Sequence, residues 1–140
     1  MTRVYRYRLR PNVAGLVYLL SILDRCRDLY NAALQERRDA WKKAAVSIGF
    51  TAQCRSDTIV RQENPEYAEL PRRLTTDVLR RLDLAFAAFF RRVKAGEEPG
   101  YPRFKGRDRY DSFGWNSPAG TGWSLEGKHL RIGDTIIRVS

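Results

Sequence analysis

The chain is poor in the residues that most enzymes use for chemistry. Its 140 residues include one histidine, one methionine and two cysteines. Cys26 and Cys54 form no Cys-x-x-Cys pair, which speaks against a zinc site or a disulfide framework, and both read as small buried hydrophobes. His129 stands alone in a strand-like segment and reads as structural. Gly-rich phosphate loops, dinucleotide fingerprints and Ser or Cys nucleophile signatures are lacking. Long apolar runs are lacking too: nothing approaches the roughly 20 residues needed to span a bilayer. The opening Met1-Thr2-Arg3-Val4-Tyr5-Arg6 alternates charge where a signal peptide would be apolar. No membrane partner is expected, and the expected location is the cytoplasm.

Acidic residues are in short supply as well. Sixteen Asp and Glu face 26 Lys and Arg, a formal charge of +10. Metal-dependent nuclease chemistry needs carboxylates that converge on cations. Here the acids are scattered, and Asp24, Asp28, Asp77 and Asp83 lie among Arg and Lys on helical segments, where they read as surface partners. What is present is globular composition, 43% hydrophobic and 30% charged, which places the excess positive charge on a folded surface. Such a surface suits a polyanion, nucleic acid before an anionic membrane.

The periodicities predict an α+β protein. Tyr5, Tyr7 and Leu9 alternate with Arg6, Arg8 and Arg10, the period of a half-buried strand from Val4 to Arg10 that Pro11 ends. Asn12 is a helix N-cap, followed by Leu16, Leu19, Leu20, Leu23, Cys26, Leu29, Tyr30, Ala33 and Leu34 at helical steps toward Trp41. Gly49 breaks that pattern, Thr51 offers a cap, and a short helix runs from Ala52 to the stop at Asn64-Pro65. A third helix starts at Pro71, carries Leu74, Val78, Leu82, Phe86, Phe89, Phe90 and Val93 as a core stripe, and ends before Gly96. Residues 129–132 and 135–139 read as a hairpin turning at Gly133-Asp134. The first strand is expected to pair with these last ones across the helices, giving a small β-barrel split by an inserted three-helix bundle. The corresponding divisions are residues 1–11, 12–96 and 97–140. The last strand is hardly finished at Ser140, so the chain is expected to continue into something absent.

Three clusters suit nucleic acid. Arg3, Arg6, Arg8 and Arg10 are four arginines with no acid among the first ten residues; on a strand, alternate side chains repeat at about 7 Å, close to the phosphate spacing. Arg72, Arg73 and Thr76 sit in the first turns of the third helix, where Arg and Thr can meet an anion or reach base edges in a groove. The stretch Tyr101, Arg103, Phe104, Lys105 and Arg107 interleaves rings with cations, a composition that stacks on unpaired bases.

The order of these pieces is more specific than their types. Tyr5-Arg6-Tyr7-Arg8-Leu9-Arg10-Pro11, then Arg27-Asp28-Leu29-Tyr30-Asn31, then Leu82-Asp83-Leu84-Ala85-Phe86 continuing to Arg92, then Gly100-Tyr101-Pro102-Arg103-Phe104-Lys105 with Ser112-Phe113, together resemble the N-terminal region of TnpB. TnpB proteins are transposon-encoded, RNA-guided DNA nucleases related to compact type V CRISPR effectors. The resemblance implies a wedge barrel with an inserted recognition domain, and as partners a guide RNA and double-stranded DNA bearing a short flanking motif. It implies that Thr51, Gln53 and Arg55, with Arg72, Arg73 and Thr76, match the motif-reading region, and that Ser112 and Asn116 lie in the matching wedge stretch. It also implies a prokaryotic, nucleoid-associated setting. The family's RuvC-like nuclease half, with its magnesium and zinc, is expected beyond Ser140, so the chain is not expected to be an enzyme on its own. Three other readings compete: a stand-alone helix-turn-helix regulator, a small nuclease or RNA-processing factor, and a ribosomal-type RNA binder.

Overall fold

The computed structural model describes residues 2–115 and 117–140. The chain divides into two compact units, residues 1–22 with 117–140, and residues 23–116. Helix α1, Val13–Ala44, contributes its first ten residues to the former and the rest to the latter.

The first unit is a four-stranded antiparallel sheet backed by the start of α1. β1 (Leu9–Arg10), β2 (Trp123–Glu126), β3 (His129–Ile132) and β4 (Thr135–Val139) are ordered β1-β4-β3-β2. The expected hairpin forms β3 and β4, with Ile132 opposite Thr135 and Gly133 at φ 57°, a left-handed conformation that glycine adopts without strain. β1 pairs with β4 through Leu9–Val139 and Arg10–Arg138, so the chain does return to its first strand after the helices. The expected strand from Val4 is much shorter, however. Arg8 exchanges both backbone bonds with Ser140, and residues 2–7 have no strand partner. Val4 is 91% and Tyr5 68% exposed, so the apolar half of the Tyr/Arg alternation covers no core. With β1 and β2 as its edges, the described four-stranded sheet is open.

Alternation sorts the hairpin residues. Ile132, Ile137 and Val139 are buried, while His129, Arg131, Ile136 and Arg138 are exposed. At the start of α1 the Asn12 carboxamide oxygen accepts the Gly15 amide at 2.8 Å, the N-cap that the sequence predicts. A Cβ on Gly15 would lie 3.3 Å from Pro11 Cβ and 3.7 Å from Ile137, so only a small residue lets helix and sheet approach this closely.

The second unit is helical. α2 (Phe50–Glu63), the single turn α3 (Pro65–Ala68) and α4 (Arg72–Lys94) join the remainder of α1. Asn64-Pro65 ends α2 and also starts α3, with Asn64 Oδ1 capping the Tyr67 amide at 3.2 Å. Cys26, Tyr30 and Leu34 of α1 and Leu74, Val78, Leu82 and Phe86 of α4 make the core. Both long helices end in a left-handed residue. Gly96 fills that place in α4, but α1 stops at Ala44 with Ala45 at φ 52°, earlier than Gly49 suggests. Residues 97–116, assigned from sequence to the barrel, belong instead to this helical unit.

Candidate nucleic-acid interface

At the start of α4, Arg72 and Arg73 are exposed and Thr76 is half-buried, with Arg72 and Thr76 one turn apart on the same side. Their neighbour Thr75 is fully buried, and its hydroxyl sits in a polar knot. Asp57 of α2 pairs with Arg61 Nε at 3.0 Å and accepts from the Tyr67 hydroxyl of α3. Arg61 in turn donates to Thr75 Oγ1 at 2.6 Å and to the Leu70 carbonyl. Burial, then the bond to Asp57, raises the Tyr67 pKa above the usual tyrosine range, so this hydroxyl stays a donor. The knot ties α2, α3 and the first turn of α4 together, and it presents Arg72, Arg73 and Thr76 from a fixed base.

On α2, Thr51 and Arg55 are exposed. Gln53 is not: it is 3% exposed and its amide is fully engaged inside the protein. Gln53 Oε1 accepts from Arg37 Nε at 2.8 Å, and its Nε2 donates to the Ala33 carbonyl at 2.9 Å. Arg37, itself buried, pairs with Asp83 at 3.1 Å and lies 4.7 Å over the Phe86 ring. Gln53 therefore ties α2 to α1, and through Arg37 to α4, and does not face a groove. Arg80, exposed on α4, stacks 4.6 Å over Phe50, and both Arg80 and Arg72 act on the Cys54 thiol, which places these two cations along the α2 side of α4.

The ring-and-cation stretch is pinned to α1 and α4. Asn31 of α1 clasps Lys105 like a strand partner, accepting its amide at 2.8 Å and donating to its carbonyl at 2.9 Å. Tyr101 meets Phe86 and Phe89 edge-on at 5.5 and 5.2 Å, and Arg38 lies over both Tyr101 and Phe104. Arg103 and Arg107 are left exposed. Ser112 is exposed and is held by Arg81, which donates to its carbonyl at 2.8 Å. Asn116 lies outside the described residues.

On the first unit, Arg3, Arg6, Arg8 and Arg10 are all exposed, but only Arg8 and Arg10 are placed by strand pairing, and Arg10 Nε reaches Ser140 Oγ at 3.2 Å. Register adds cations that the linear pattern does not mark. Glu126, His129, Arg138 and Arg10 stand opposite one another across all four strands, and Ser124, Arg131 and Ile136 form the next row. The solvent face of the sheet thus carries Arg10, Arg131 and Arg138 with Glu126, and Arg131, Glu126, His129, Ser124 and Ile136 line a depression of about 290 Å³ on it. The signal for Arg131 and Arg138 was their alternation against Leu130, Ile132, Ile137 and Val139.

The described residues offer no fit for zinc or magnesium. No three His, Cys, Asp or Glu among them converge. Burial pushes the Cys26 thiol up to about 12 and raises that of Cys54, which disfavours the thiolate a metal would need. No described helix is long and apolar enough to cross a membrane.

No curated protein matches the chain. The helix-turn-helix model matches a segment that here contains β1 and one continuous helix; a second helix begins only at Phe50. Residues 1–45 match the helix-turn-helix domain of the IS605 OrfB type, which makes the N-terminal third similar to a DNA-binding domain of the OrfB/TnpB family of transposon proteins.

Proposed function

We propose that this chain is the nucleic-acid-binding part of a TnpB-like, RNA-guided DNA endonuclease, gripping a guide RNA and reading a short DNA motif beside the target. The observation that carries the reading is the start of α4. Arg72, Arg73 and Thr76 project from a turn fixed by the Asp57–Arg61–Thr75 knot, which is the rigidity that base contacts require. The basic sheet face, with Arg8, Arg10, Arg131 and Arg138, is proposed to track an RNA backbone, and the wedge-like role of the sheet is part of the same reading. In the same reading the chain binds and the cutting is left to a RuvC-like nuclease partner, since metal-dependent cutting needs converging carboxylates and no three His, Cys, Asp or Glu gather among the described residues.

Flanking-sequence selection tests the motif reader. In a complex supplied with guide RNA, Thr76→Ala or Arg72→Ala should cost about 1 to 3 kcal/mol at one motif position while guide binding stays intact. An equal loss over all flanking sequences would reduce these residues to phosphate contacts. The sheet is tested separately by salt dependence: Arg131→Ala with Arg138→Ala should flatten the log-log slope of RNA binding by roughly two units. The match over residues 1–45 also favours a second reading, a stand-alone DNA-binding regulator. Filter binding that favours random duplex DNA over structured RNA would select it.

A further inference from the structure

We infer that the C-terminal ends of α1 and α4 form a pocket for an unstacked base of single-stranded nucleic acid. This goes beyond motif reading at the start of α4, which lies about 24 Å away along the helix at 1.5 Å per residue. The cavity is about 640 Å³, inside the roughly 300–1,000 Å³ range of small-molecule sites. Of the eleven residues that line it, five are aromatic: Trp41, Phe86, Phe89, Phe90 and Tyr101. Trp41 is 62% exposed and Phe90 53%, so large rings stand open to water beside a floor formed by buried Phe86. Exposed apolar surface of this kind, rimmed by polar residues, marks a binding site and not a core.

Charge selects the occupant. The two chain segments around the pocket, residues 38–48 and 87–101, carry Arg38, Lys42, Lys43, Arg91, Arg92 and Lys94 against Asp39, Glu97 and Glu98. Asp39 is already engaged by Lys43 and Gln35, and the one cation in the lining, Arg37, is paired with Asp83. With Lys43 paired to Asp39 and Arg38 stacked on Tyr101 and Phe104, these two segments keep Lys42, Arg91, Arg92 and Lys94 against Glu97 and Glu98, a positive surplus beside a cage of rings that suits an aromatic ring on an anionic backbone. The rings already use this chemistry internally: Arg38 lies 5.5 Å over Tyr101 and Arg37 4.7 Å over Phe86. An acidic amphipathic peptide would share the charge but would present aliphatic anchors, for which flat ring faces have no advantage. Every base has a π-face, so such a pocket would accept unpaired RNA or DNA with little sequence preference.

The test uses the 140-residue chain and short single-stranded RNA and DNA oligonucleotides carrying one 2-aminopurine. Stacking should quench the probe, and Trp41→Ala should weaken single-strand binding about 5- to 150-fold while leaving duplex binding of the same length unchanged. Phe90→Leu, which keeps apolar volume and removes a ring, should weaken it too; an aliphatic-binding groove would tolerate that change. Unaltered affinity for an oligonucleotide made abasic at the probe position would overturn the proposal. So would an acidic amphipathic peptide that fills the pocket without displacing the oligonucleotide, or a concentration-dependent dimer abolished by Trp41→Ala.

Discussion

Residues 3–10 and 101–107 carry the same chemistry, arginines and lysines interleaved with rings, yet only the second becomes a positioned surface. In the first, Tyr5 and Tyr7 are exposed along with the arginines, and only Arg8 onward is bonded to β4. In the second, Asn31 holds the Lys105 backbone at both its donor and its acceptor, and Phe86 and Phe89 seat Tyr101. Alternation supplies the side chains; a site also needs something that fixes the backbone carrying them. Residues 3–7 have no strand partner, so under the function proposed above a bound nucleic acid would have to fix their backbone, at about 1–2 kcal/mol per residue. Residues 101–107 have met that cost within the fold.

The largest test of this contrast removes the platform. Arg37 supports it from below, joining Gln53, Asp83 and Phe86. Arg37→Ala leaves the buried Gln53 oxygen without its donor and opens space beside Phe86, and it should cost about 3 kcal/mol in urea unfolding. Asp83 is 44% exposed, so water takes over part of the lost ion pair and keeps the figure from rising further. A double-mutant cycle with Gln53→Leu should show coupling above about 0.5 kcal/mol. Strict additivity would mean that the two residues do not act as one junction.

A smaller change makes the second stretch resemble the first. Asn31→Ala deletes both bonds to Lys105 and should cost about 1 to 2 kcal/mol. The informative measurement is local: amide exchange at Lys105 should accelerate, and single-strand binding should fall with it, while Leu34 and Leu82 stay protected. An unchanged Lys105 exchange rate would show that Arg38 stacking on Tyr101 and Phe104 is enough to hold the loop.

What could be read from sequence follows the range of the interactions. The β3–β4 hairpin was legible because its period, its turn glycine and its partner all lie within eleven residues. The N-cap at Asn12 and the buried part of the α4 stripe, Leu74 to Phe86, are equally local, whereas Phe90 and Val93 at its end, read as core, are exposed. The first strand was overread, since a period of two reports a propensity to be extended and not the length of available partner. Gln53 was misplaced for a different reason. Gln53 was named through the family resemblance, which carries no information on burial, and Arg37, 16 residues away, and Ala33, 20 residues away, draw it inside. The basic row on the sheet needs the register of β1 with β4, a pairing about 130 residues apart, before Arg10 and Arg138 become neighbours.

The finest test of the contrast uses pH, because Cys26 and Tyr30 of α1 and Tyr110, just after the second stretch, are weak acids whose ionisation is opposed by burial. Cys26 is raised from 9.0 to about 12 and Tyr110 from 10.0 to about 12, with Tyr30 raised as well, all chiefly by burial. Tyr30 and Tyr110 pack at 6.0 Å, and Lys105 sits over Tyr30, so this cluster underlies residues 104–110. In each case the folded state holds its proton more tightly than the unfolded chain does. Below about pH 9 both states are protonated and the contribution is complete. Between 9 and 12 the unfolded chain ionises first and is favoured, so stability is lost as pH rises, by roughly 1 kcal/mol per unit for each such group. Urea midpoints measured in reducing buffer from pH 8 to 11 should therefore fall, and Cys26→Ala should make that decline shallower even though the variant starts from lower stability. A decline of the same slope in Cys26→Ala would assign the alkaline loss to the tyrosines alone.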